Sequence, residues 1–516
     1  MYYNKCTNVK ALALSKSEWS NALEELAEIE VEPLSGLSAH QGELLSSSRI
    51  VERASRSAIY RRAWGLKRGE TREARTIEEL QNLPMISSAD YKEAFERFEI
   101  EDIVLNDRTV SWHSTSGSSG TPKWFPYTLE DISEARAQLL RLYNVIGVQE
   151  GDIVLQFSSA APMISDALPY WMIDVMRDAG ISIQCVIVSI YLMQFAMPFA
   201  IKIQPTMLTG LPSMLMLLAE HLPETSQERT AERFREHPTP RNLLYAALTR
   251  IKRVRPKHLL RRLRVGVFGG DLLDPYRPYI EEEYDMEAFD IYSLTESSVF
   301  ACECEAHDGM HLWIDRQIAE IIPDSELEKE SADPGYTPRT LLLQEAPRDT
   351  EGELVLTNFR DALPLIRYRT GDLIKVKDTG RCSCSRTHPK VKILGRLDDL
   401  INLGGLRFSE AQLNRAMRRI KKHGRVKAWR AVLSRVGYKP KIKLEIKAPT
   451  SSEGALVEEI HQKILVDIPL LGAALKVGLI HPLEIEFTDE LEEVLTRGGK
   501  ARRVFYEESF ITGGVS

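Results

Sequence analysis

The sequence contains only six cysteines in 516 residues, no repeat, no low-complexity tract, and no excess of positive charge. So few cysteines cannot build a disulfide framework. A net charge of −7 argues against nucleic acid as the main partner. Basic stretches at 252–264 and 415–447 read as solvated helix faces, and the second would also suit an acidic partner. The opening residues MYYNKC lack a basic lead and an apolar core, so no secretion signal is expected. The most apolar tract, 185–201, is interrupted by Gln194 and Pro198 and carries Ser189 and Tyr191. A buried strand followed by a buried helix explains it better than a membrane span, and a cytoplasmic location without a membrane partner is expected.

What is present is a globular composition: 43% apolar residues, 27% charged residues and 25 prolines spread along the chain. The length predicts a large domain and at least one smaller one. Residues 17–100 carry mixed charged and apolar positions at helical spacing. From about 110, short β-rich runs alternate with amphipathic stretches: 153–157 then 168–177, 183–189 then a helix, 264–268 then 275–284. That alternation predicts α/β layers around a largely parallel sheet. Beyond Glu351, strand-like runs at 353–357 and 373–377 are punctuated by Gly and Asp, as in antiparallel structure. Residues 395–405 read as a linker. After it, helices at 409–422 and 454–465 and strands at 428–433 and 441–447 predict a small α+β module. The expected architecture is therefore α/β, with a large multi-layer N-terminal domain (1–395) of mixed and parallel sheets. A hinge joins it to a small α+β C-terminal domain (396–516).

Five segments carry chemistry. Residues 114–123 read Ser-Thr-Ser-Gly-Ser-Ser-Gly-Thr-Pro-Lys. Hydroxyls, small glycines and a lysine let N–H groups and charge converge on phosphate oxygens. This is not the Walker pattern, because lysine follows proline and no Ser/Thr succeeds it. Tyr292-Ser293-Leu294-Thr295-Glu296 sets a carboxylate beside a hydroxyl, and by itself would read as an ordinary surface turn. Tyr368-Arg369-Thr370-Gly371-Asp372 ends in an acid that can accept two hydrogen bonds from neighbouring hydroxyls. Gly395-Arg396-Leu397-Asp398-Asp399 and Gly404-Gly405 follow at the composition change. Arg497-Gly498-Gly499-Lys500 puts a lysine on a loop able to close over a site.

In this order, the segments resemble those of the adenylate-forming superfamily, which includes acyl- and aryl-CoA ligases and non-ribosomal adenylation domains. The span 114–500 covers most of the chain, and the string 395–408 looks most like that of phenylacetate-CoA ligase and its relatives. Gly269-Gly270-Asp271 stands where the family usually has Gly-Gly-Glu. The resemblance implies that Thr115, Ser116, Gly117, Ser118, Ser119, Gly120, Thr121 and Lys123 hold the ATP phosphates. It implies that Tyr292 stacks on adenine, with Gly270 and Asp271 also at the nucleotide. Thr295 would meet the α-phosphate, Glu296 would bind Mg2+, Asp372 would hold the ribose and Arg396 would reach the nucleotide. Asp398 would be the hinge, Gly404 and Gly405 the approach for a thiol, and Lys500, with Thr295, Glu296 and Lys123, the catalytic set. Phe157, Ala161, Pro162, Gly210, Gly269 and Ser293 would line the acid pocket.

The implied activity is an acid–thiol ligase: ATP-dependent formation of an acyl-adenylate from an aryl or arylacetic acid, then transfer to CoA or a carrier-protein phosphopantetheine. Amide formation with an amine, or a non-catalytic nucleotide or acyl-ligand binder of the same fold, are the alternatives. Some relatives carry a structural zinc, and the resemblance maps its ligands to Cys304, His311, Cys382 and Cys384. Cys302, His307 and His388 stand close enough in sequence to substitute.

Overall fold

The computed structural model describes residues 24–115, 122–158, 162–189, 193–251, 253–270, 272–274, 276–333, 335–397, 400–403, 406–409, 413, 416–417, 428–447, 453–488, 491 and 503–507. Short helices fill 34–103, as the helical spacing predicts. Two of them, Ile77–Gln81 and Ser88–Arg97, start at capping boxes in which Thr76 pairs with Glu79 and Ser87 with Asp90. A hairpin of β1 (Ser111–Ser114) and β2 (Trp124–Tyr127) follows. The next helix, Leu129–Val145, opens on a third such box, Thr128 with Asp131.

The α/β alternation is as expected. Strands β3 (Ile153–Ser158), β4 (Gln184–Ser189), β5 (Met207–Gly210), β6 (Val265–Phe268) and β7 (Glu287–Leu294) are parallel, in the spatial order β4-β3-β5-β6-β7. Alternate residues point to opposite faces. Val154, Met207, Val265 and Val267 join one core with Leu139, Leu140, Met172 and Val175. Leu155, Phe157, Leu208 and Phe268 join the other with Ala200, Leu215, Ala219 and Tyr284. Helices therefore cover both faces of the sheet. The chain builds β4 on one side of β3 and then returns to place β5 on the other. That reversal opens a crevice outside the carboxyl ends of β3 and β5, where open α/β sheets bind ligands.

The same sheet continues antiparallel through β8 (Ser298–Glu303), β9 (Met310–Leu312), β10 (Gln317–Pro323), β11 (Leu341–Leu342), β12 (Glu351–Asn358), β13 (Tyr368–Asp378) and β14 (Lys390–Arg396). The full order is β11-β10-β12-β13-β14-β9-β8-β7-β6-β5-β3-β4. The stretch 395–405 is less of a linker than its glycines suggest. β14 runs to Arg396, and β15 (Leu400–Leu403) pairs with β16 (Leu406–Ser409). Ser409 thus ends a strand, and helix at 409–422 is described only at Leu413, Ala416 and Met417.

The α+β module has β17 (Ala428–Val436) antiparallel to β18 (Lys439–Lys447). β19 (Glu484–Thr488) and β20 (Val504–Tyr506) are added parallel at its edges. Its core runs from Leu403 to Val504, with Phe408, Leu433, Leu444, Ile460 and Leu471 inside.

One buried cation joins distant parts of the large unit. Arg141 donates to Glu30, to Asp315 (2.7 Å) and to Nε2 of His388 (2.7 Å), and its guanidinium lies 4.5 Å from the Trp313 ring centroid. Burial alone would push the Glu30 and Asp315 carboxyls up, but Arg141, His388 and the neighbouring Arg386 and Arg316 together outweigh it and hold both below the usual range. Because both are depressed, their stabilisation is full above about pH 4, where unfolded carboxylates ionise, and is lost as pH falls through the folded values. Removing the cation takes the principal partner from two buried acids, leaving Glu30 with Arg386 and Asp315 with the more distant Arg316. Arg141→Met is expected to lower unfolding stability by about 3–5 kcal/mol, measured by urea denaturation at pH 7, with a smaller difference from wild type in acid.

Candidate active site

The neck of the Ser/Gly-rich loop is closed by reciprocal bonds. Thr115 N–H donates to the Lys123 carbonyl (3.0 Å), and Lys123 N–H donates to the Thr115 hydroxyl oxygen (3.1 Å). That bond leaves the Thr115 hydroxyl hydrogen available to donate. Ser116, Gly117, Ser118, Ser119, Gly120 and Thr121 lie outside the described residues. Ser114 N–H donates to the Pro162 carbonyl (3.0 Å), which ties the loop to the segment following β3.

Lys123 is buried and donates to Glu296 Oε1 and to the Tyr368 hydroxyl, both at 2.6 Å. Tyr368 in turn donates to Glu296 Oε1 (3.2 Å). The lysine of 114–123, the acid of 292–296 and the first residue of 368–372 thus meet at one point. The backbone behind Glu296 is held as well. Tyr127 donates to the Thr295 carbonyl (2.8 Å), and Asn358 and Arg360 donate to the Glu296 carbonyl.

Tyr292 on β7 donates its hydroxyl to Asp372 on β13, although β8, β9 and β14 lie between those strands. In a flat sheet their separation would be about 19 Å, so the sheet curls until the two ends face each other. β9 has three residues and pairs with β14 only at His311 and Met310. Beyond that short seam the halves are free to part and fold around a site. Tyr292 is nearly buried, with its ring edge-on to Phe300 at 4.9 Å. Gly371 has φ 74° and donates to Glu353, a backbone state that glycine adopts without strain and that aims Asp372 inward.

The residues expected at the acid pocket gather at the crevice. Phe157 and Gly210 end β3 and β5, Gly269 follows β6, and Ser293 lies near the end of β7. Gly269 donates to the Gly210 carbonyl (3.4 Å), and a Cβ on Gly269 would stand 2.9 Å from Ile291. Gly270 has φ 80°. Pro162 is exposed beside this edge. Ala161, Asp271, Asp398, Gly404, Gly405 and Lys500 lie outside the described residues, as does the Arg396 side chain. A cavity of about 330 Å³ does not coincide with the crevice. It lies behind the Thr295–Glu296 backbone, among Tyr127, Asp131, Ser297, Gln317, Asn358 and Arg360.

A second cluster lies at the seam. The ligand atoms of Cys304, His311, Cys382 and Cys384 all fall within 4.8 Å of one another. The Cys304–Cys382 sulfurs are 3.9 Å apart, and Cys384 Sγ is 3.4 Å from His311 Nε2. A tetrahedral ion with metal–sulfur bonds of about 2.3 Å and metal–nitrogen bonds of about 2.0 Å needs edges near 3.8 and 3.5 Å. The set fits. His311 Nδ1–H donates to the His388 carbonyl (2.9 Å), which fixes the tautomer with Nε2 toward the sulfurs. Burial lowers the His311 pKa, favouring the neutral ligand form. The other candidates are engaged elsewhere: Cys302 in the sheet core, His307 with Glu303 and Glu287, and His388 on Arg141.

Sequence reasoning passed over Tyr368, Asn358, Arg360 and Tyr127 as site residues. Tyr368 was within reach, since it opens the ribose string. The other three act on backbone carbonyls and leave no motif.

The fold and the ordered segments are those of the adenylate-forming superfamily. Within it, the chain is similar to phenylacetate-coenzyme A ligases. It is 24% identical to the one from Thermus thermophilus over 511 residues, covering 92% of this chain and 98% of that protein. It is 26% identical to the one from Aromatoleum evansii over 371 residues, 69% of each. The Escherichia coli K12 protein is 34% identical over 158 residues, 29% of this chain and 31% of that protein. No protein-family model matches the chain. Among solved structures, 2-hydroxyisobutyryl-CoA ligase in complex with 2-HIB-AMP and CoA superposes with a TM-score of 0.63. It covers 93% of this chain and 92% of its own at 19% identity. The acyl acid amido synthetase AtGH3.15 gives 0.52 at 14% identity, covering 96% and 95%.

Tyr368→Phe removes a hydroxyl shared by Lys123 and Glu296. It is expected to cost about 1.5–3 kcal/mol, read as a lower urea midpoint at unchanged slope.

Proposed function

We propose that the protein activates a carboxylic acid, aryl or arylacetic, to an acyl-adenylate and passes the acyl group to coenzyme A. The observation that carries this reading is that segments 292–296 and 368–372 meet twice, in the Tyr292–Asp372 pair and in the Glu296–Tyr368 contact that also holds Lys123. The thiol acceptor rests on the similarity to phenylacetate-coenzyme A ligases. A carrier-protein phosphopantetheine, or an amine as in the amido synthetase, is the second reading for the acceptor.

In the first half-reaction a substrate carboxylate oxygen attacks the α-phosphorus of ATP. The bond from that phosphorus to the bridging oxygen breaks, and pyrophosphate leaves with the electron pair. In the second, a thiolate attacks the acyl carbon and AMP departs. Asp372 accepts the ribose hydroxyls, and Thr115 with the loop ahead of Lys123 receives the phosphates. Lys123 is held on Glu296 in this structure, so a magnesium–phosphate group fits once Nζ swings from the carboxylate to a phosphate oxygen. Magnesium would supply charge neutralisation, with Glu296 as its protein ligand. Positioning and electrostatics then provide most of the rate.

The division at 395/396, Asp398 as pivot, Gly404 and Gly405 as thiol approach and Lys500 as the closing catalytic cation belong to the same proposal. The separate core from Leu403 to Val504 supports that division. The Cys304/His311/Cys382/Cys384 set is proposed to hold a structural zinc, because three sulfurs and one imidazole leave no open position.

Acid-dependent ATP–pyrophosphate exchange across aryl and alkyl acids tests the activity. Exchange with a subset of acids is expected, falling by roughly two to three orders of magnitude in Lys123→Ala and Lys500→Ala. Protein that binds ATP but exchanges with no acid would sink the proposal. For the metal, elemental analysis is expected to find one zinc per chain in wild type and none in Cys382→Ser/Cys384→Ser, with a lower Tm. Full thermal stability in metal-free wild type would refute a structural zinc.

A further inference from the structure

A helical hairpin hangs between β5 and β6. Its first arm is Pro212–Glu236 and its second is Pro240–Ile251, joined where the Thr230 and Thr249 hydroxyls meet at 2.9 Å. In the second arm, Asn242, Ala246 and Thr249 are half-buried, in a sector of about 60° at 3.6 residues per turn. The outward side is unusual for a surface helix. Leu243, Leu244 and Leu248 are 52%, 57% and 40% exposed, and with exposed Ala247 they form an apolar arc of about 140°. Arg250 borders one edge. Arg241 borders the other, stacked 5.5 Å from the ring of Tyr245, itself 45% exposed.

The first arm carries five glutamates and three arginines, whereas the second arm and the segment after it carry charge of one sign. From His237 to Arg264 there are nine lysines and arginines and no aspartate or glutamate, in a chain of net charge −7. Arg253, Arg255 and Arg264 are neutralised by Glu283, Glu282 and Asp152. Arg241, Arg250, Arg261 and Arg262 are exposed and make no ion pair among the described residues. Gln204 accepts from Arg261 N–H (3.0 Å) and donates to the Leu259 carbonyl (2.8 Å). Those bonds bring the helix Met193–Ile203, with exposed Phe199 and Ile201, beside Arg261.

We propose that this hairpin is a peripheral docking face for an anionic lipid bilayer, with the Leu243–Leu248 arc entering the headgroup boundary and the arginines on lipid phosphates. A wide apolar arc edged by arginine is the pattern of helices that lie in a membrane interface. No described helix is both long and apolar enough to cross a bilayer, so the hairpin would lie on the surface. A second copy fits poorly, because a two-fold contact would set unpaired arginines against themselves. Nucleic acid would use the cations but leave the leucines in water.

Co-sedimentation of the full chain with vesicles tests this, using phosphatidylcholine alone and phosphatidylcholine mixed with phosphatidylglycerol. Binding is expected only to the mixed vesicles, weakening as salt rises. Arg241→Gln/Arg250→Gln should cut the partition coefficient roughly fivefold per arginine, and Leu244→Glu/Leu248→Glu should abolish binding. Both variants should keep the wild-type far-ultraviolet dichroism and Tm. The proposal fails if wild type ignores the anionic vesicles at low salt, or if binding survives the leucine substitutions. It fails equally if sedimentation velocity shows that those leucines support self-association instead. Capture by an acidic protein without vesicle binding would likewise overturn it.

Discussion

The large unit depends on the buried guanidinium of Arg141. It comes from the helix Leu129–Val145, yet its partners lie at Glu30, at Asp315 between β9 and β10, and at His388 just before β14. A fully buried cation carries a heavy desolvation cost unless every donor is matched, so the three segments have one arrangement in which they can coexist. That arrangement reaches the Cys/His cluster, because the carbonyl of His388 orients His311. It also fixes the approach to β14, whose far end meets Asp372.

Two constraints then act on the sheet from opposite ends. The Cys/His cluster ties the turn between β13 and β14 to the strands β8 and β9. Past it, the sheet parts and the Tyr292–Asp372 and Lys123–Glu296–Tyr368 contacts close it again. The Lys123, Glu296, Tyr368, Tyr292 and Asp372 side chains therefore sit at a discontinuity in the ladder, with the Cys/His cluster on its other side. The proposed swing of Lys123 from Glu296 to a phosphate would take place at the near end.

Charge is handled differently on the surface. Arg253, Arg255 and Arg264, near the β5/β6 hairpin, each find an acid on a neighbouring element. The arginines on the outer helix do not, and they flank leucines rather than polar residues. Neither feature improves the fold, since exposed apolar area and unpaired like charges both weaken an isolated chain.

Much of this was legible in the sequence. The alternation of β-rich and amphipathic runs marks the parallel sheet, because side-chain period follows directly from backbone geometry. Local strings such as 114–123 and 368–372 mark themselves, since glycine, hydroxyl and acid at fixed spacing report a local chemistry. Cys304, His311, Cys382 and Cys384 could be named as a set, but Cys302, His307 and His388 could not be excluded, because ligation is decided by which side chains converge in space. The strands at 400–403 and 406–409 were hidden for a similar reason: glycine-rich composition reads as a linker until a partner strand supplies the hydrogen bonds. Tyr127, Asn358 and Arg360 hold the Thr295–Glu296 backbone through carbonyls that every residue type possesses. Sequence alone therefore determined the order of elements and the chemical groups on offer. The tertiary structure decided which groups are buried against one another, because burial, distance and charge pairing are properties of a closed surface and not of a string.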